Sequence, residues 1–104
     1  MNLRKIGKLE RELRAILKSP SSRSSTYMRS LATQVERKMV NRGKEPTFER
    51  QSPPRLPPLT IPGHPGDLSI GVVRSVANQL LSDLDEWRLY LQQQEEDDIQ
   101  DDDD

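Results

Sequence analysis

Pro58-Leu-Thr-Ile-Pro-Gly-His-Pro-Gly-Asp-Leu-Ser-Ile-Gly-Val-Val-Arg-Ser-Val-Ala-Asn-Gln-Leu80 decides the reading of this chain. Leu59-Thr60-Ile61 has strand composition and lies between prolines, which suits a short or edge strand. Pro62 to Asp67 is a turn-rich passage. Asp67 or Ser69 then serves as a helix N-cap, accepting a free N–H of the first turn. Val73, Val76, Ala77, Leu80, Leu84, Trp87 and Leu91 recur at spacings of three and four. That period predicts an amphipathic helix ending near Gln93. The last ten residues, Glu95 to Asp104, hold eight acidic side chains, and their mutual repulsion predicts a disordered tail.

Upstream, Gln51 to Pro58 contains four of the eight prolines and reads as a loop or extended connection. Thr47-Phe48 is a short strand candidate, and Gly43-Lys44-Glu45-Pro46 breaks whatever precedes it. Arg37 to Arg42 stays open on periodicity alone. It either extends a helix towards Gly43 or forms a strand with Met39 or Val40 facing a core. A helix is predicted from about Thr26 to Glu36, capped by Ser24 or Ser25, with Met28, Leu31, Ala32 and Val35 on one face. Ser19-Pro20-Ser21-Ser22 separates it from a first amphipathic helix, Leu3 to Lys18, whose stripe is Ile6, Leu9, Leu13 and Ile16. Two heptads are too few for a coiled coil.

The chain has 104 residues, of which 32% are apolar and 32% charged, with four aromatics in all. One small core is the most such a composition supports. Without cysteine there are no disulfides, thiolate zinc sites or cysteine nucleophiles. No apolar run approaches a membrane span, and no apolar signal-peptide region opens the sequence, so a soluble cytoplasmic protein is expected. Net charge is −1, yet residues 1–50 carry thirteen Lys/Arg against five Asp/Glu, and residues 51–104 carry three against twelve. A basic half suggests a polyanion-binding face, with the acidic half as a solvating or competing tail. Basic helices are also common as plain solvated surfaces.

Most catalytic chemistry finds no residues here. A single histidine excludes a His-pair metal site, and the acidic tail lacks the spacing and glycine of a calcium loop. Gly63-His64-Pro65-Gly66 is not a phosphate loop, since the Lys-Ser/Thr ending is missing. No Gly-x-Ser-x-Gly is present. Pro53 to Pro58 is too short and poorly flanked for a proline-rich ligand. No cofactor and no metal are expected.

The opening stretch resembles the last strand, turn and helix of the HicA-like (YcfA) mRNA interferase toxins. The resemblance rests on Thr60, Ile61, Pro62, His64, Gly66, Asp67, Leu68, Gly71 and Arg74 and covers about twenty-three residues. Upstream, Gly43 and Phe48 fit the family's basic residue, Gly-Ser-His and aromatic strand. The resemblance implies an α+β, double-stranded-RNA-binding-like fold: helices around a small three-stranded antiparallel sheet. It makes Arg37 to Arg42 the first strand, Thr47 to Arg50 the second and Leu59 to Pro62 the third. The expected division is a basic helix and Ser-rich linker over 1–24, a HicA-like domain over 25–93 and an acidic tail over 94–104. Leu3 to Lys18 is then an addition, against which Leu84, Trp87 and Leu91 pack unless they bind a partner. The core is expected at Leu31, Val35, Val40, Phe48, Leu59, Ile61, Val73, Val76, Ala77 and Leu80.

The family's catalytic histidine lies in Gly-Ser-His, where this chain reads Gly43-Lys44-Glu45. RNA cleavage without a metal needs a base and an acid poised near neutrality, which histidine supplies unperturbed and glutamate does not. The catalytic candidates are therefore Glu45 and, in the turn, His64, while Asp67 caps the last helix. Arg37, Lys38, Arg42, Lys44 and Arg74 are expected to contact phosphates. The resemblance implies an RNA-binding protein acting on mRNA, the toxin half of a type II toxin–antitoxin pair with a HicB-like antitoxin partner. Endonuclease activity is expected to be weak or absent. A second reading is a non-enzymatic helical interaction protein of phage or plasmid type, with residues 37–62 a linker lacking a sheet.

Overall fold

The computed structural model describes the backbone of residues 1–42, 45–63 and 65–102, with side chains up to residue 95 apart from that of Arg42. Six elements run in order: α1 (Leu3–Lys18), α2 (Ser25–Gln34), β1 (Lys38–Arg42), β2 (Glu45–Arg50), β3 (Leu56–Thr60) and α3 (Ile70–Asp102). Asn2 caps α1 by accepting from the Lys5 N–H at 2.8 Å. Ser24 caps α2 by accepting from the Tyr27 N–H at 3.1 Å. Each cap satisfies a first-turn donor that has no partner within its own helix.

A tight turn ends α2 and leads into β1. The Glu36 N–H donates to the Thr33 carbonyl at 2.9 Å, and the Arg37 N–H to the Ala32 carbonyl at 3.1 Å. This is a Schellman closure with Glu36 in the left-handed position at φ 70°. Glycine is the usual occupant, because a Cβ there is crowded. Glu36→Gly is expected to stabilise the chain by about 0.5–1 kcal/mol, read as an upward shift of the urea midpoint. An unchanged or lower midpoint would show that contacts of the Glu36 side chain outweigh the relieved backbone.

The sheet has the order β1-β2-β3 and is antiparallel throughout. Met39, Phe48 and Leu59 lie opposite one another on one face, where Phe48 enters the main core. Val40, Thr47 and Thr60 share the other face, as do Lys38 and Glu49. β1 and β2 pair up to Arg42 and Glu45, while Gly43, expected at the turn, lies outside the described residues with Lys44. The third strand begins at Leu56, inside the proline run expected to be a connection. Pro57 and Pro58 are accommodated because β3 is an edge strand with one side free of ladder bonds. A register irregularity between Phe48 and Arg50 lets Arg50 face Leu56.

Ser69, one of the two expected caps, starts α3, its Oγ accepting from the Val72 N–H at 3.3 Å. Asp67, expected to cap, instead pairs its backbone with Ser24. Gly66 precedes it at φ 87°, a conformation suited to glycine. The expected helix end near Gln93 is corrected: α3 continues to Asp102. Gln92, Gln93, Gln94 and Glu95 are good helix formers, and no glycine or proline interrupts them.

One hydrophobic core joins Ile6, Leu9, Leu13 and Ile16 of α1 to Met28, Leu31, Phe48, Ile61 and the α3 stripe through Leu84 and Trp87. Val40 and Leu59, expected inside, are only half-buried. α1 packs antiparallel on α3: Met1 and Leu3 line a cleft with Leu91 and Glu95, and Glu10 pairs with Arg88. Hydrogen bonds from Arg14, then Arg88, hold the Glu10 carboxyl below its usual range. Tyr27 of α2 donates to Glu12 of α1 at 2.6 Å, and burial followed by that bond pushes its phenol up to about 12. Among the described residues no helix is long and apolar enough to cross a membrane.

Candidate functional site

The expected site residues divide sharply by environment. Arg37 is corrected: it is 2% exposed and contacts no solvent-facing groove. Its Nε and Nη2 donate to Asp83 of α3 at 2.7 and 2.8 Å, and its Nη1 donates to the carbonyls of Phe48 (2.8 Å) and Pro57. These bonds direct the guanidinium to the protein and leave it no face for a phosphate. Lys38, Glu45 and Arg74 are exposed. Arg42 is described only by its backbone, opposite Glu45. Lys44 and His64 lie outside the described residues.

Three parts of the chain meet at one corner: α2, the start of β2 and the segment after β3. The Ile61 N–H donates to the Pro46 carbonyl at 3.3 Å, joining the end of the third strand to the start of β2. The Ser25 hydroxyl donates to the Pro62 carbonyl at 2.5 Å, fastening the first turn of α2 to the same corner. Arg29, one turn further along α2, reaches across this corner. Its Nη2 lies 2.0 Å from where a Cβ on Gly63 would stand, with the Pro46 ring 3.6 Å from the same point. Sequence reading missed Arg29, because a single Arg in a basic helix carries no spacing signal. The glycine after Pro62 was the indirect clue, since close approach of another group is one reason for glycine.

Two further surfaces carry charge. Lys38, Val40, Glu49 and Arg50 line a shallow cleft of about 300 Å³ on the face of the sheet opposite Phe48. Its charges are mixed, and Glu49 is 5% exposed. Arg4, Lys8, Arg11 and Lys18 form an exposed row on the side of α1 away from its buried stripe. The row spans about 21 Å at the rise of an α-helix. Unlike Arg14, these four make no ion pair among the described residues. No acidic residue interrupts the row.

Comparison with protein-family models, curated proteins and solved structures finds no match to this chain.

Proposed function

We propose that the chain is an RNA-binding protein of the HicA-like toxin type, one half of a toxin–antitoxin pair, with little or no mRNA cleavage. The observation that carries this reading is the element order: helix, three antiparallel strands, helix, in which the resembling stretch ends the third strand and opens α3. That is the order the resemblance implies for a double-stranded-RNA-binding-like fold. The unpaired row Arg4, Lys8, Arg11 and Lys18 adds the charge that phosphate contacts need. The reading of residues 37–62 as a linker without a sheet does not stand, since all three strands pair. The toxin–antitoxin role rests on the resemblance alone.

Cleavage is not expected to accompany binding. Glu45 is exposed at the start of β2, whereas a carboxyl serving as base works best from a water-excluded setting. Titration of the protein into a labelled RNA should give binding whose logarithm falls linearly with the logarithm of salt. Expression of the chain alone should leave transcripts largely intact. Glu45→His is expected to raise cleavage, within the roughly 10²–10⁴-fold range of acid–base assistance. Absence of RNA binding at low salt would overturn the reading. Rapid mRNA loss abolished by Glu45→Gln would overturn the inactive-enzyme part, and loss abolished by His64→Ala would move the active site to the turn.

A further inference from the structure

We propose that Arg29 is a phosphate-binding residue, held open at the corner of α2, β2 and the turn before α3 to grip the backbone of bound RNA. This deepens the RNA-binding reading and rests on it. The arginines that are not exposed differ in how their side chains are partnered. Arg37 spends its donors on Asp83 and two carbonyls. Arg50 donates to the carbonyls of Glu36 and Pro53 and lies 4.7 Å from the Trp87 ring centroid. Arg23 donates to the Ser19 carbonyl and lies 5.7 Å from the Tyr27 ring centroid. Arg88 pairs with Glu10 and Asp85. Arg29 alone of these makes no side-chain hydrogen bond or ion pair among the described residues, and its Nε, like that of Arg50, is buried without a partner.

A guanidinium whose buried Nε has no partner is costly to keep unless something satisfies it, and its Nη donors are unpaired within the protein. The far end of the Arg29 side chain occupies the space beside Gly63. Gly63 has no Cβ, and one placed there would lie 2.0 Å from Nη2 and 3.2 Å from Cζ. Gly63 is exposed, so the guanidinium lies beside an open surface. The planar fork of arginine matches two phosphate oxygens at once, which a lysine ammonium does not.

The test uses the full chain, a single-stranded RNA oligomer and a salt series, with thermal melting in parallel. Arg29→Gln is expected to weaken RNA binding about tenfold or more, in the range of a charge-assisted bond. It should also reduce the magnitude of the log–log salt slope by roughly 0.7, the share of one phosphate contact on a single strand. Melting should hold or rise, because an unsatisfied buried donor has been removed. Arg29→Lys should keep the slope and lose part of the affinity. Gly63→Ala, which displaces the guanidinium while leaving its charge, should weaken binding without unfolding the chain. A lower melting temperature with an unchanged slope would make Arg29 a structural residue and overturn the proposal. Wild-type affinity in both Arg29→Gln and Gly63→Ala would overturn it while leaving the RNA reading intact. Failure of the unaltered chain to bind RNA would remove both. Selective loss of polyglutamate binding in Arg29→Gln, with RNA binding kept, would reassign the site to an acidic protein and overturn it.

Discussion

Asp83→Ala is expected to cost about 3–5 kcal/mol of folding stability, the range found when one partner of a buried ion pair is removed. Asp83 is 1% exposed and the Arg37 side chain is fully buried. Their two parallel bonds, at 2.7 and 2.8 Å, are joined by a third to Asp83 from Gln79 at 3.1 Å. Alanine leaves a full positive charge inside the core with only the Phe48 and Pro57 carbonyls as partners. Small domains are stable by roughly 5–15 kcal/mol, so the loss would consume much of the total. The same cluster links β2 and β3 to α3, so its loss loosens the sheet on the helix. Arg37→Met combined with Asp83→Leu removes both charges and should recover most of the loss, because desolvation of the pair offsets much of its attraction. Urea unfolding of the single and double variants reads both effects. A single-variant loss below about 1 kcal/mol would mean that water reaches the pair and screens it, as at exposed bridges.

The contrast between α3 and Arg37 shows what the amino-acid order reveals and what it conceals. The α3 stripe is legible because every third or fourth residue is apolar over several turns, and Val73, Val76, Ala77, Leu80, Leu84 and Trp87 are all buried. Arg37 carries the opposite lesson. An arginine beside Lys38 in a basic half reads as surface, and nothing local contradicts that. Its burial is set by the Schellman turn at Glu36, where a non-glycine residue hides the turn from composition. Its partner lies 46 residues away. The early start of β3 is concealed for a related reason: proline argues against a strand except at a sheet edge, and edge status depends on strand order. Trp87 illustrates a middle case. Its apolar spacing is plain, but the bond from its Nε1 to the Val35 carbonyl at 3.0 Å and the Arg50 guanidinium over its ring are tertiary facts. Of the candidate site, the strand–turn–helix frame is legible, whereas Arg29 depends on how α2 meets that frame.

Leu13→Ala is expected to cost about 2–5 kcal/mol, and removal of residues 1–18 to abolish cooperative unfolding altogether. By sequence α1 is an addition outside a 25–93 domain, with Leu84, Trp87 and Leu91 expected to pack on it unless they bind a partner. Its packing argues for the stronger dependence. Ile6, Leu9, Leu13 and Ile16 are each at most 1% exposed and share one cluster with the stripe of α3. Fully burying such a side chain contributes about 1.5–3 kcal/mol, so four of them rival the stability of a small domain. The polar contacts across the seam are exposed or half-exposed ion pairs, such as Arg88 with Glu10, and contribute little by comparison. Salt should therefore leave the α1–α3 association nearly unchanged, while cavity-forming substitutions should not. Residues 19–104, expressed alone, should give a broad melt and bind a hydrophobic dye, because the covered side of α3 becomes exposed. A sharp melt within a few degrees of the intact chain would instead establish that residues after 18 fold by themselves and that α1 is a docked accessory.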